Sequence, residues 1–254
     1  MLIDSHCHLF DEKYNDTKAI LNNALDFGVS KMISIGTSLE DSLDTALKIR
    51  LYQEVSGTIG VYPQENTSYS IDEIIKKLEE IYSRSSKIVA IGEIGIDIVE
   101  DMKRPLEQQK QLFTAQINLA KKLNLPIVIH NRNGTKEVLE VLKNNNHYGV
   151  LHCFVEDWEV AKKFLDLGFL ISFSGIITYK SGVGIHETVK NIPSDRYLIE
   201  TDSPYLSPQG YRKETNEPKY VRIVAEKVAE IRNSSLQVVS EESTKNATAL
   251  FKLD

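Results

Sequence analysis

The chain has 254 residues, 41% hydrophobic and 26% charged, with a formal net charge of −6. This is ordinary globular composition, long enough to bury a sizeable core, and the acidic balance argues against a protein that holds nucleic acid through a broad basic face. Two cysteines, Cys7 and Cys153, give no disulfide framework and fit a reducing compartment. With no basic apolar leader and no apolar run of membrane-spanning length, the expectation is a cytoplasmic protein without a membrane partner.

The chain opens on "LIDSHCHLF". On a strand, alternation puts Asp4, His6 and His8 on one face and Ile3, Ser5, Cys7 and Leu9 on the other. "KMISIGT" from Lys31 predicts the next strand, followed by a helix in "LEDSLDTALKIRLYQ". "GTIGVYP" from Gly57 reads as a strand. "SIDEIIKKLEEIYSR" reads as an amphipathic helix, with Ser70 as N-cap and Glu73 completing a capping box. "KIVAIGEIGID", the helix around "EQQKQLFTAQINLAKKLN", and "LPIVIHN" continue the alternation. Then come the helix "GTKEVLEVLKN", the strand "YGVLHCF", a helix in "VEDWEVAKKFLDLG" closed by Gly168, and the strand "FLISFSG". "DRYLIETDSPYL" supplies the last strand and its loop. Two helices, "EPKYVRIVAEKVAEIR" and "VVSEESTKNATALFK", close the chain.

The strands are near-continuous Ile/Val runs, as expected of strands covered on both faces. Repeated β-then-α units imply parallel strands with right-handed crossovers, and about eight of them close a barrel. The expected fold is a TIM (β/α)8 barrel, one domain over residues 1–254, with the long loop "SPYLSPQGYRKETNEP" as a functional segment.

In such a barrel, chemistry sits at the C-terminal strand ends. His6 and His8 close the first strand, Glu93 ends "VAIGE", His130 ends "PIVIH", His152 ends "GVLH" and Asp202 ends "YLIETD". Buried carboxylates need compensation. A metal centre compensates both and employs all four imidazoles. Four histidines and two carboxylates exceed one tetrahedral ion and suit two, one carboxylate bridging. The mixed donors favour Zn²⁺ or Mn²⁺ over Ca²⁺, with Mg²⁺ less expected from ligand type. His147 and His186 read as exposed surface residues, and Cys7 and Cys153 as small core residues. Asp4 and Glu200 are candidate supporting partners of the ligands. Arg132 either binds a phosphate or carboxylate or pairs with Glu200.

The set "DSHCHL", "AIGEIGID", "QLFTAQINLAKKLNLPIVIHNR", "GVLHCF", "GFLISFSG", "ETDSPYL" and "NEP", in this order, resembles the TatD family of metal-dependent deoxyribonucleases in the amidohydrolase superfamily. The resemblance covers essentially the whole chain. It implies a barrel with two divalent ions (Mg, Mn or Zn). His6, His8 and Asp202 would hold one ion, His130 and His152 the other, with Glu93 bridging. Asp202 would also orient or deprotonate the attacking water. It implies an exonuclease acting on DNA, sometimes RNA, and no obligate protein partner is evident. Arg132 and Ser203 are candidate phosphate contacts.

Three stretches depart from the family pattern. "GVYP" puts Tyr62, a candidate substrate contact near the pocket, where the family has histidine; tyrosine can still donate a hydrogen bond but cannot be cationic. "HCFVEDW" replaces small residues with Val155, Glu156, Asp157 and Trp158. "YRKETNEP" sets Glu214 beside Arg212 and Lys213. These changes make hydrolysis of a small-molecule amide or ester by the same centre the alternative function. A non-enzymatic metal-binding barrel and a nucleobase deaminase rank lower, the latter because a mononuclear site leaves Glu93 unused.

Overall fold

The computed structural model describes residues 1–253. All eight predicted strands are present: β1 Leu2–Cys7, β2 Val29–Ser34, β3 Val55–Ile59, β4 Ile88–Asp97, β5 Ile127–Arg132, β6 Gly149–Leu151, β7 Leu170–Phe173 and β8 Tyr197–Ile199. They form one eight-stranded sheet in sequential order, the sheet of a TIM barrel. Registered pairs such as β1–β2, β4–β5 and β7–β8 are parallel. The predicted helices appear as α2 Leu39–Lys48, α3 Ile71–Tyr82, α4 Leu106–Leu123, α5 Thr135–Asn144, α6 Trp158–Asp166, α8 Val221–Arg232 and α9 Leu236–Phe251. Two helices lie outside the sequence expectations: α1 Thr17–Asp26 and the short α7 His186–Asn191. No helix among the described residues is long and apolar enough to cross a membrane.

The chain falls into two compact units: Met1–Ser34 with His152–Asp166 and Leu170–Asp254, and Ile35–Leu151 with Leu167–Phe169. In the first, β8 returns to β1. Asp202 N donates to His6 O (2.9 Å), His8 N donates to Ser203 O (2.7 Å), and Cys7 bridges Ser203 in parallel register. Ile33, Phe164, Phe173, Tyr197, Leu198, Val228 and Phe251 fill its core. In the second, Ile59, Leu78, Ile91, Phe113, Ile117 and Val128 do the same.

Helix starts follow the sequence. Ser70 and Glu73 form the expected capping box, Ser38 caps α2 on Asp41 N and Ser235 caps α9 on Val238 N. Gly168, at φ +87°, ends α6 in the left-handed region that glycine enters without steric cost.

Helix α4 contributes two fully buried glutamines that complete the strand ends beside it. Gln116 Oε1 accepts from Val61 N (2.8 Å) while its Nε2 donates to Val61 O (3.0 Å). Gln109 grips Asp97 in the same manner, at 2.8 Å to the N–H and 3.1 Å to the carbonyl. Gln116 thereby satisfies Val61 backbone groups beyond β3 that would otherwise be buried unpaired. Gln116→Leu therefore costs about 2–4 kcal/mol, because two buried polar groups lose their partners. That corresponds to a fall of roughly 5–10 °C in melting temperature for a chain of this size. An unchanged thermal transition would contradict the clamp.

Candidate metal centre

Four of the six predicted ligands gather in the first unit. His6 Nε2 and His8 Nε2 each lie 3.4 Å from Asp202 Oδ1. The His6 ring stacks on His152 with centroids 3.9 Å apart and planes 8° from parallel. Ligand atoms of His6, His152 and Asp202 all fall within 4.8 Å of one another. A spacing of 3.4 Å is long for an N–H···O hydrogen bond. It matches the edge between two ligands that each stand about 2.0–2.1 Å from a shared tetrahedral ion.

The backbone that delivers Asp202 is held on several sides. Asp202 has φ +57°, an uncommon conformation for a residue with a side chain. Tyr205 N donates to its carbonyl (2.9 Å). Asp4, fully buried, accepts from Thr201 N (2.9 Å), Thr201 Oγ1 (2.5 Å) and His6 N (3.3 Å). Asn216 Nδ2 donates to Thr201 O (2.9 Å) and Tyr205 O (2.5 Å). Asp4 thus ties the first strand to the loop carrying Asp202, and Asn216 of the "NEP" motif fixes that loop from the other end. Burial raises the Asp4 carboxyl well above the usual range against those hydrogen bonds. At Asp202 burial also raises, but the close imidazoles of His6, His8 and His152 outweigh it and hold the carboxyl well below the usual range.

Glu200 is fully buried. Its Oε1 accepts from Cys153 N (2.7 Å) and faces His152 Nδ1 at 3.3 Å. The partner fixes the tautomer: with Nδ1–H turned to the carboxylate, the Nε2 lone pair is the donor left for a metal. Glu200 Oε2 has no hydrogen-bond partner, a buried charge that a neighbouring cation would offset.

The other two predicted ligands meet in the second unit. His130 Nδ1 lies 2.9 Å from Glu93 Oε1. Glu93 does not end its strand as expected but sits inside β4, which runs on to Asp97, and His130 lies two residues before the end of β5. Tyr62 donates its hydroxyl to Asp97 Oδ2 and stands 3.1 Å from His130 Nε2. Burial, then the bond to Asp97, pushes the Tyr62 hydroxyl far up, so it stays a neutral donor. Arg132 is 63% exposed and its Nε is 4.0 Å from Asp97 Oδ1. Asp97, not Glu200, is the carboxylate beside Arg132, because Glu200 is taken up by Cys153 and His152.

Asp97 is the residue that the sequence reading misses. It is buried and faces Tyr62, His130 and Arg132. The signal was available: Asp97 follows Glu93 by four residues on β4, so alternation places both on one face.

Other expectations need correction. Ser203 is fully buried, so its hydroxyl is not offered to a phosphate. Cys7 is the buried core residue expected, its thiol donating to Ile33 O. Cys153 is only half-buried, at φ +45°, with Sγ 3.1 Å from Ser174 Oγ. The turn that presents Cys153 N to Glu200 takes it out of strand alternation. His147 and His186 are half-buried rather than exposed, each bonding a backbone carbonyl, Leu125 O at 2.8 Å and Ile177 O at 2.9 Å. Glu214, beside Arg212 and Lys213 in sequence, accepts from Tyr220 OH (2.9 Å).

Imidazoles and carboxylates gathered on the strands of an α/β barrel and in the loops that follow them define the class: a metal-dependent hydrolase. The TatD related DNase family model matches residues 3–252. The chain is 37% identical to the uncharacterized metal-dependent hydrolase YabD of Bacillus subtilis, each covered in full. It is 33% identical to YcfH, an uncharacterized metal-dependent hydrolase of Escherichia coli, over 100% of this chain and 96% of that one. The crystal structure of YjjV, a TatD homologue from E. coli, superposes with a TM-score of 0.93 at 28% identity, covering 100% and 98% of the two chains. This chain belongs to the TatD family of metal-dependent hydrolases.

Proposed function

We propose that the chain is a dinuclear metal-dependent phosphodiesterase that removes nucleotides from DNA ends, RNA offering the same chemistry, with residues 1–254 acting as one domain. His6, His8 and Asp202 would hold one ion and His130 and His152 the other, with Glu93 as the carboxylate shared between the two. The observation that carries this reading is the pair of 3.4 Å separations from His6 and His8 to one Asp202 oxygen. The nitrogen-rich donor set favours Zn²⁺ or Mn²⁺, with Mg²⁺ the third candidate. When bound, such ions polarise a phosphoryl oxygen and lower the pKa of a bound water.

The chain's own groups do the rest. Asp202 orients the attacking water and accepts its proton. Glu200 holds His152 in the tautomer that directs Nε2 outward. Tyr62 donates to Asp97 and braces His130 Nε2. The exposed Arg132 guanidinium meets a substrate phosphate. Glu200→Gln weakens this orienting contact, and metal affinity falls about 10–100-fold. Competition with a chromophoric chelator measures it, and an unchanged affinity would remove Glu200 from the account.

The rival reading is hydrolysis of a small amide or ester, and substrate class separates the two. Manganese-loaded protein is offered bis(4-nitrophenyl) phosphate and oligonucleotides beside 4-nitrophenyl acetate and a cyclic amide. The proposal predicts that phosphodiesters dominate in kcat/KM. Preference for the ester or amide would overturn it.

A further inference from the structure

Two cations in the first unit are mounted on tyrosine rings beside Asp202. Lys13 Nζ lies 3.8 Å from the centroid of Tyr205, and Arg212 Cζ lies 4.1 Å from that of Tyr179. Neither cation has an ion-pair partner among the described residues. Both rings are anchored. Tyr205 OH donates to Asp11 Oδ2 (2.8 Å), and its ring packs edge-on against His8 with centroids 5.7 Å apart. Its backbone N–H bonds Asp202 O. Tyr179 OH donates to Ser207 O (2.8 Å), and Asp202 is among the charges it senses.

The carboxylates next to these cations in sequence take their hydrogen bonds from other donors. Asp11 Oδ1 accepts from Lys13 N (2.8 Å) and its Oδ2 from Tyr205. Glu214 accepts from Tyr220 OH. In a chain of net charge −6, these two positive heads beside the ligand set make no ion pair among the described residues and are partly immobilised on the rings. A ring face under a cation lowers the entropy lost when that cation grips an anion, and it leaves the N–H donors outward.

We propose that Lys13 and Arg212 form a phosphate clamp that holds the nucleic-acid strand beyond the scissile bond, contacting backbone phosphates flanking the His8–Asp202 site. The clamp rests on the phosphodiesterase reading for its biological substrate, and it makes strand length the specificity determinant. A substrate with one phosphate reaches the metal centre without it. A strand of several nucleotides engages both cations. This fits an acidic protein with no broad basic face: affinity comes from few, placed contacts, so its salt dependence is shallow but not zero.

The test measures two quantities on manganese-loaded full-length protein and on Lys13→Met, Arg212→Met and the double variant. Binding of a fluorescein-labelled single-stranded 12-mer is followed by anisotropy from low to high salt. Hydrolysis of bis(4-nitrophenyl) phosphate is followed in parallel. Each single variant is expected to bind the 12-mer about tenfold more weakly. The double variant is expected to lose about 1.4 from the slope of log K against log salt, roughly 0.7 per phosphate contact. Small-diester hydrolysis stays within about twofold of the parent, since one phosphate does not reach the clamp. Unchanged 12-mer affinity and slope, or an equal loss on both substrates, would overturn the clamp. A parent protein that binds the 12-mer in a Lys13- and Arg212-dependent manner but leaves the small diester intact would instead overturn the phosphodiesterase chemistry while the clamp stands.

Discussion

Asp202→Ala lowers phosphodiester hydrolysis at least about 10³-fold while the protein still folds. Asp202 Oδ1 is the atom that both His6 Nε2 and His8 Nε2 face at 3.4 Å. On the proposed reading its removal takes away a metal ligand and the group that aligns the attacking water, and losing a positioned base alone is worth about 10²–10⁴-fold. The fold survives because the loop is held by backbone bonds to His6 O and Tyr205 N and by the Asp4–Thr201 and Asn216–Thr201 contacts, none of which uses the Asp202 carboxylate. The left-handed backbone at this position disfavours alanine. Asp202→Asn is therefore the companion variant, since asparagine tolerates that conformation and keeps one oxygen. Both should show an unaltered circular dichroism spectrum. Retention of more than a tenth of the parent's kcat/KM in the asparagine variant would remove Asp202 from the proton-accepting role.

Stripping the metal with a chelator abolishes hydrolysis and lowers the melting temperature. The stability effect follows from what burial leaves behind. Asp4, Glu200 and Glu93 are buried acids, and Glu200 Oε2 lacks a hydrogen-bond partner. A cation that binds the folded chain and not the unfolded one stabilises it by mass action, about 4 kcal/mol at a thousandfold excess over Kd. For a chain of this length that is roughly 8–16 °C. Differential scanning calorimetry, with and without the re-supplied ion, reads it directly. Superimposable melts with both activities intact would refute a metal centre.

The strands and most helices were legible because their signals are local. Ser70 and Glu73 announce α3 three residues apart, and the Ile/Val runs announce a sheet covered on both faces. The six candidate ligands stood out for the same reason: a polar residue that interrupts or follows an apolar run is conspicuous. Helix α1 escaped because it buries only Leu21 and Ala24, too few for a clear periodic stripe. Helix α7 has six residues, too few for any periodicity.

The supporting contacts were less legible, since they depend on long-range pairing. Nothing near Gln116 in sequence marks it as the partner of Val61, 55 positions earlier. Asp4 meets Thr201 across 197 residues. Asn216 stood in a recognised motif, yet its task of tying Thr201 to Tyr205 appears only once the loop is folded.

The most direct test of the central claim uses chelator-stripped protein re-supplied separately with Mg²⁺, Mn²⁺ and Zn²⁺, on single-stranded DNA labelled at one end, beside Asp202→Asn. The account predicts a ladder shortening from one end with at least one ion, and none with the stripped protein or the variant. Intact DNA with protein shown by elemental analysis to be metal-loaded would contradict it.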